Sequence, residues 1–413
     1  MPTIDSKFRQ RTRTMRRKLR RGAMTAAGRS LQFALWRLAH RLPRPNAPHP
    51  VPRSFFGINC ATNLEPAWDD TCLAWIQDLG VGSVRVDVTY DSHTEAAWRW
   101  VDQLHGAGLD VVLHLVQPAA AAANMHAKRE RLDWEQFVTA ILEPVRGKVS
   151  HAELGSTPNR QTWSGYSVSD FVTAHEIARP ILNEYGIRAV GPNVSDYAPY
   201  FNAALLGAMR ARGVVPHVHS DNLFVDRAAV PPERPDHRAV GRALSPLARL
   251  TLPRKLQHLA SLSQWAGCEE TWVTNFAWTI APEGSRKPRY VSPERQADLL
   301  ARYFLLAAAS GLVQRVHWCQ MLGHLRGLID DGHTLRYEPP EDVFLRRHNH
   351  ACPGDEAKRP AFAMLKRVVA AVSGSEFQRA ERTSEDVTLH FTRDGAEQRI
   401  HWRVDGAGGV KFG

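Results

Sequence analysis

The sequence lacks paired cysteines, long apolar runs and the common nucleotide and zinc motifs. Its five cysteines are scattered and include no C-x-x-C pair, which argues against a disulfide framework and favours reduced thiols. No stretch of about eighteen residues is apolar and uncharged, so the sequence predicts no membrane-spanning helix. It has neither a P-loop nor a zinc-ligand spacing. We therefore expect no cofactor and no metal site.

Acidic residues are almost absent from the first 45 residues. That segment contains 13 Lys and Arg residues against one acid, Asp5, whereas residues 46–413 contain 40 Lys and Arg against 41 Asp and Glu. The formal net charge of +11 therefore belongs to an N-terminal tail and not to the body of the protein. A nearly neutral body gives no indication of nucleic-acid binding.

The tail changes character at about residue 26. Residues 1–25 are basic with few large apolar side chains, which is typical of a disordered segment. Residues 26–42 instead place apolar side chains at helical spacing on one face, namely Leu31, Ala34, Leu35, Leu38 and Leu42. Much of the rest of the helix is basic or polar. Such a helix is suited to an anionic membrane surface, and the alternative is a helix that only packs on the folded body.

These features predict a cytoplasmic protein held at the inner face of the membrane by residues 1–45. The pairs Arg16-Arg17 and Arg20-Arg21 also allow a twin-arginine export signal. Arg29 and Arg37, however, interrupt the apolar region that such a signal needs, so export is the less favoured alternative.

Residues 46–53 form a proline-rich linker, and residues 54–375 alternate short β-rich runs with helical patterns. The eight β-rich runs lie at 55–59, 84–88, 111–116, 150–155, 188–192, 214–219, 272–276 and 312–318. This rhythm predicts a (β/α)₈ TIM barrel with its functional residues on the loops after the carboxyl ends of the strands. The long loop from Ser220 to Pro253 either covers the site or is partly disordered. Residues 376–413 predict a β-hairpin appendage and a flexible end.

Several stretches of the body resemble family 39-like glycoside hydrolases of clan A. They are WSGYSVSDFV after the fourth strand, WVTNFAW at the seventh, SPERQADLLARYFLLAAASGLVQRVHW before the eighth, and RPAFAMLKRVV afterwards. Together they are similar to glycosidase-like proteins encoded with envelope polysaccharide or lipopolysaccharide genes. The resemblance covers about residues 55–402 and implies a barrel that binds carbohydrate.

The two catalytic glutamates that this resemblance implies are both replaced. The family's fourth strand ends Gly-Asn-Glu-Pro-Asn, where this chain has Thr157 in the frame Gly155 to Asn159. The seventh strand ends Trp-x-Thr-Glu-x-x-Trp, where this chain has Asn275. A retaining glycosidase needs two carboxyls about 5 Å apart, one as nucleophile and one as acid/base. A threonine is no general acid near neutral pH, and an amide is a poor nucleophile. The sequence thus predicts a catalytically degenerate barrel.

Other acids are candidates for an interior role. Glu153 lies on the same face of the fourth strand as Thr157 but deeper, and Arg85 and Asp87 share one face of the second strand. Arg85 corresponds to an arginine that supports the nucleophile in the clan. We expect a buried ion pair of Arg85 with Glu153 or Asp87, with Asp87 in the pocket as the alternative.

Other candidate substrate-binding residues are aromatic or polar. Trp318 matches a tryptophan that forms a sugar platform in the clan, and Trp278 follows the seventh strand, although large aromatic side chains are often simply core. Candidate hydrogen-bonding residues are His114, His217, His219 and Asn159. Arg160 is a candidate for an anionic sugar or phosphate, or a solvent-exposed loop arginine.

The favoured function is binding of a glycan or glycan precursor in bacterial envelope polysaccharide assembly by a degenerate barrel. The first alternative is an active hydrolase or transglycosidase whose catalytic residues lie elsewhere in the pocket. The second is a membrane-attached scaffold with a vestigial cleft.

Overall fold

The computed structural model describes residues 27–40, 43–44, 47–90, 95–224, 231–235, 250–280, 290–332, 348–349 and 351–413. The predictions for residues 1–25, for Leu42 and for most of the loop from Ser220 to Pro253 lie outside these ranges. Within them, no helix has both the length and the apolar character that crossing a bilayer requires.

Eight parallel strands close into a barrel, as the sequence predicts. In chain order they are β2 (Phe56–Cys60), β3 (Ser83–Thr89), β4 (Asp110–Val116), β5 (His151–Leu154), β6 (Arg188–Ser195), β7 (Val218–Asn222), β8 (Glu270–Phe276) and β9 (Arg315–Trp318). The register brings Asp87 beside His114 and His114 beside Glu153. The sixth strand begins at Val218, four residues later than predicted, because residues 214–217 belong to the loop that precedes it.

Helices cover the outside of the barrel. They are α1 (27–39), α2 (Ala67–Leu79), α3 (Glu95–Gly106), α4 (Ala119–Ala122), α5 (Lys128–Leu142), α6 (Gln161–Ser164), α7 (Val168–Glu184), α8 (Pro199–Ala211), α9 (Leu252–Ala266), α10 (Pro293–Ser310) and α11 (Pro360–Val372). The sequence explains several of their ends. Ser167 and Ser292 cap α7 and α10 with their hydroxyls, and left-handed glycines end α2, α9 and α10.

The barrel interior changes from apolar to polar along its axis. Val112, Val190, Val218 and Trp272 form a small buried cluster inside the barrel. Two residues further along three of the same strands stand His114, Ser220 and Thr274, which are also buried. Because side chains alternate along a strand, they project to the same side as the apolar cluster. The polar layer therefore lies nearer the carboxyl ends, where barrels carry their sites.

The C-terminal appendage is a five-stranded antiparallel sheet, larger than the predicted hairpin. Its strands are ordered β1 (His49–Val51), β10 (Ser375–Arg382), β11 (Asp386–Arg393), β12 (Ala396–Arg403) and β13 (Lys411–Phe412). Part of the predicted linker is thus a strand that pairs with β10. The linker contains Pro50, which an edge strand tolerates because one row of its backbone groups is unpaired. The C-terminal segment that was predicted to be flexible pairs with β12 and buries Val410.

This sheet is joined to the barrel by buried charges and aromatic side chains. Arg302 on α10 is fully buried and donates to the Val404 carbonyl at 3.4 Å, and Glu233 accepts a hydrogen bond of 2.5 Å from the indole of Trp402. Phe377 is fully buried in the same apolar cluster as Phe304 on α10. The appendage and the barrel therefore share one core.

Because of this shared core, Phe377→Ala should destabilise the whole protein by about 3–5 kcal/mol, the usual loss for removing a buried phenylalanine. Chemical denaturation followed by circular dichroism should show one transition at a lower midpoint. Phe412→Ala on the half-buried edge strand β13 is the matched control and should cost less. A separate early transition for the sheet, with the barrel midpoint unchanged, would contradict the shared core.

Candidate functional site

A network of buried charged side chains occupies the polar layer of the barrel. The Arg85 guanidinium donates to Glu153 Oε2 at 2.5 Å and lies 3.2 Å from Asp87 Oδ1. His114 Nδ1 lies 2.7 Å from the same Asp87 oxygen. All four side chains are buried, so the predicted interior ion pair is confirmed, with both carboxylates bonded to one arginine.

The network satisfies Glu153 on both carboxylate oxygens. Thr274 on β8 donates its hydroxyl to Glu153 Oε1 at 2.6 Å, opposite the arginine. A buried carboxylate is costly unless it is paired and hydrogen-bonded, and here both conditions are met. Glu153 is therefore fixed deep in the barrel by one partner on each of its carboxyl oxygens.

His114 connects this network to the neighbouring loops. Its Nε2 atom lies 2.9 Å from the Gly155 carbonyl and 3.2 Å from Asn193 Nδ2. The predicted polar residues Arg85, Asp87 and His114 are thus brought together. These three side chains line the barrel interior and also contact one another.

Thr157 follows β5 in a backbone conformation that is unusual for its residue type. Its φ is +43° and its side chain is buried. A β-branched residue rarely adopts a positive φ, because its side chain collides with the backbone there. Gly155, two residues earlier, also has positive φ, and a Cβ there would lie 2.8 Å from Phe171. The backbone of this loop is therefore strained at Thr157, the position where the resemblance expects the acid/base.

Strained backbone is concentrated at this end of the barrel. The described non-glycine residues with positive φ are Thr157, Asn193, Asp196 and Asp394, and the first three follow or end β5 and β6. Asp394 lies in the hairpin turn between β11 and β12. Such strain persists only where the surroundings impose it, and it is found preferentially at functional sites.

Asn275 is buried near the end of β8. Neither atom of its side-chain amide has a hydrogen-bond partner of normal geometry among the described residues. The thiol of Cys319, just after β9, is its neighbour. Burial raises the pKa of the Cys319 thiol, an effect that Arg326 and Arg85 oppose and Asp87 adds to. Asn275 and Cys319 therefore stand beside the charged network.

Asn159 and Arg160 connect two loops at the mouth. The Asn159 amide donates to the Ser195 carbonyl at 2.7 Å and accepts from the Ser195 amide at 2.9 Å. The Arg160 guanidinium forms an ion pair with Asp196 and lies 5.9 Å from the centre of the Trp163 ring. Both side chains fix the loop after β5 to the loop after β6.

The two candidate tryptophans are both buried. Trp318 has no exposed surface, donates its indole N–H to the Arg326 carbonyl at 3.1 Å and meets Phe276 edge-on. Trp278 is 3% exposed, and its indole N–H has no partner in the described part of the chain. These surroundings match the core alternative for Trp318. Trp278 keeps an unused donor.

The two candidate histidines near β7 lie away from the polar layer. His219 faces outward, with Nδ1 2.9 Å from Ser263 on α9 and Nε2 3.1 Å from Asn202 on α8. Burial lowers its pKa to about 4. His217 precedes β7 at the opposite end of the barrel and lies 3.1 Å from Arg179. Neither histidine is brought together with Thr157 and Asn275.

A buried carboxyl that the sequence did not single out lies beside His219. Asp221 has no exposed surface, and its Oδ2 accepts from Asn202 at 2.9 Å while Oδ1 has no partner among the described residues. Burial raises the pKa of this carboxyl well above its usual range. Unlike Asp87, it has no arginine partner among the described residues.

Sequence reasoning also missed Asn193, Thr274 and Cys319. Strand parity offers a signal for Thr274, because it lies two residues after the inward-facing Trp272. The same count from His317, which lies 3.0 Å from Ser83 inside the barrel, reaches Cys319 rather than Trp318. Asn193 carries no such signal, because its contact depends on the positive φ at that position. No group of three metal-binding side chains occurs among the residues that the structure describes.

The barrel is similar to solved glycoside hydrolases. A family 39 glycoside hydrolase from Bacteroides cellulosilyticus superposes with a TM-score of 0.63 at 15% identity, covering 85% of this chain and 70% of that one. A glucosidase from Croceicoccus marinus gives 0.55 at 13% identity, covering 84% and 76%. No protein-family model matches the chain, and no curated protein matches it in sequence. At these identities the likeness establishes a glycoside-hydrolase-like fold.

The contrast between Asp87 and Asp221 can be tested by the same substitution at both positions. Asp87→Asn should cost about 3–5 kcal/mol, because it leaves charges of the network uncompensated. Asp221→Asn should change the unfolding free energy by less than about 1 kcal/mol at pH 5, because the raised pKa favours the neutral carboxyl, which an amide resembles.

The pH dependence gives a second readout. A carboxyl whose folded pKa is raised stabilises the protein fully below its unfolded pKa, and this contribution is lost as pH rises. The unfolding free energy of Asp221→Asn should therefore rise relative to that of the native protein by up to about 1.4 kcal/mol per pH unit above pH 4, until the folded pKa is reached. Urea unfolding between pH 4 and pH 8 measures both effects. Equal losses for the two variants, with parallel pH profiles, would show that Asp221 is ionised.

Proposed function

We propose that this glycoside-hydrolase-like barrel binds a glycan or glycan precursor and does not cleave it by the retaining mechanism. The observation that carries the proposal is a set of buried polar atoms without partners at the carboxyl ends of β6 and β8. In the described part of the chain they are Asn193 Oδ1, Ser195 Oγ, the Asn275 amide and Trp278 Nε1. Each such group costs about 1–3 kcal/mol if nothing meets it. A saccharide, with donors and acceptors around its ring, is a ligand suited to these groups.

The residues at the two catalytic positions support binding rather than cleavage. Thr157 and Asn275 carry no carboxyl, and both are buried. The nearby carboxylates of Asp87 and Glu153 already bond to Arg85, His114 and Thr274. Neither is free to attack an anomeric carbon without breaking the network, so the favoured function is recognition of carbohydrate.

The cellular context that we propose is assembly of bacterial envelope polysaccharide, including lipopolysaccharide. Its support is the resemblance of the stretches around β5, β8 and α10 to glycosidase-like proteins of that context. The proposal includes attachment of the basic N-terminal tail to an anionic membrane surface. An active hydrolase or transglycosidase is the first alternative, and it would need a carboxyl outside this network. A membrane-attached scaffold is the second, and it would leave the unpaired polar groups without a ligand.

Isothermal calorimetry on a panel of core oligosaccharides should detect binding, while the same panel and aryl glycosides should show no turnover. Asn275→Ala should weaken binding by about 1–3 kcal/mol, because it removes hydrogen-bonding groups that only the ligand meets. Asn183→Ala is the control, because it changes an exposed asparagine near the end of α7, at the opposite end of the barrel, and should leave the affinity unchanged. Unchanged affinity for Asn275→Ala, in a protein that still folds, would place the ligand elsewhere.

The double change Thr157→Glu with Asn275→Glu tests whether these are the two catalytic positions. A glutamate at 157 meets a smaller backbone penalty than the native β-branched threonine. Carboxyls about 5 Å apart should give measurable hydrolysis of aryl glycosides with retention of configuration, which neither single variant should show. Product formation followed by NMR reports the stereochemistry.

The native protein and the paired alanine variants complete this test. Hydrolysis by the unmodified protein that survives both Thr157→Ala and Asn275→Ala would overturn the degenerate function. Circular dichroism should show that the double glutamate variant is folded, so that a lack of activity is not caused by unfolding.

A further inference from the structure

Helix α1 is fixed to the outside of the barrel by the side opposite its leucines. Phe33 is 8% exposed, and its ring lies 5.6 Å from Trp265 on α9. The Arg29 guanidinium donates to the Ala204 carbonyl on α8 at 3.2 Å. The Ser30 hydroxyl lies 3.4 Å from the Tyr200 carbonyl at the start of α8. Helix α1 therefore packs across α8 and α9.

The outward side of α1 is apolar. Leu31, Leu35 and Leu38 are 60%, 57% and 86% exposed, and Tyr200, whose carbonyl lies 3.4 Å from the Ser30 hydroxyl of α1, is 78% exposed. We call these four residues the leucine surface. Two other large apolar side chains are exposed in the described part of the chain. Leu64 lies just before α2, and Leu132 lies on α5. A contiguous exposed apolar patch indicates an interaction surface, whereas single exposed leucines need no explanation.

We infer that the leucine surface inserts into the interface of an anionic membrane and thereby fixes the orientation of the barrel. This inference rests on the membrane attachment included in the proposed function, and it assigns the lipid contact to defined side chains. The chain that precedes the surface supports it, because residues 1–30 contain 10 Lys and Arg residues and one acid. Basic residues beside an apolar helical face are the combination that anionic bilayers bind.

Charge argues against a second copy of the chain as the occupant. Two copies that packed through their leucine surfaces would bring their two basic tails together, each with 13 Lys and Arg residues against one acid. Like charges at short range oppose such a contact, whereas an anionic lipid surface neutralises them. The lipid is therefore the favoured partner.

The attachment has a consequence for the mouth of the barrel. Tyr200 follows Ser195, the last residue of β6, by five positions, and Asp196 between them forms the ion pair with Arg160 at the mouth. A membrane that contacts Tyr200 therefore lies beside the β6 edge of the mouth.

The test compares full-length variants for binding to phosphatidylcholine vesicles that contain phosphatidylglycerol. Changing Leu31, Leu35 and Leu38 together to Gln should lower the partition coefficient at least about tenfold, because three apolar side chains lose their burial in lipid. The double variant Leu64→Gln with Leu132→Gln alters exposed leucines elsewhere and should bind like the native protein. Co-sedimentation at about 0.1 M and about 1 M salt separates the apolar contribution from the screened electrostatic one.

Deletion of residues 2–25 separates this inference from the attachment by the tail. If the deletion abolishes binding at low salt while the triple variant binds normally, the tail attaches the protein and the leucine surface is not the lipid contact. If the triple variant alone converts a dimer to a monomer in sedimentation velocity without lipid, the occupant is a second copy and the inference is wrong. Loss of binding in the triple variant, with unchanged melting temperature and monomeric behaviour, supports it.

Discussion

The buried ion pair between Arg85 and Glu153 is the interaction on which the interior of this barrel depends. It joins β3 to β5, and through Asp87, His114 and Thr274 it extends to β4 and β8. The Arg85 guanidinium and two carboxyl groups could not be taken out of water here unless each met a partner of opposite charge or a hydrogen bond. The network therefore fixes the relative positions of four strands, and both of its carboxyl groups are engaged within it. What remains for a ligand is a set of neutral amides, a hydroxyl and an indole.

The loops at the mouth are held in place by this interior. His114 bonds to the Gly155 carbonyl, and the Asn159 amide bonds twice to the backbone of Ser195. These contacts offset the cost of positive φ at Thr157, Asn193 and Asp196. At the two positions that the resemblance assigns to the catalytic glutamates, the chain has an alcohol and an amide.

The N-terminal helix shows how one segment can serve two surfaces. Its aromatic side contacts α9, and its leucine side faces outward. The sequence periodicity defines the leucine stripe, and it would ordinarily assign that stripe to the protein core. The ring of Phe33 packs against Trp265 instead, and Trp36 stacks on Phe33, so the aromatic side of the helix faces the barrel. Packing on the folded body, one of the two predicted alternatives, is therefore observed, and attachment to a membrane stays a prediction.

The sequence by itself determined the eight-strand barrel, because alternating strand and helix patterns report on local burial along the chain. It also predicted the Arg85 ion pair, since this follows from strand parity. Only the tertiary structure decided that residues 49–51 and 411–412 join the C-terminal sheet, because pairing partners far apart in the chain leave little local signal. It likewise decided that His219 faces α8 and α9, that Cys319 lies beside Asn275 and that Trp318 is buried. These outcomes depend on which side of each strand the surrounding helices cover, and a single strand's sequence does not contain that information.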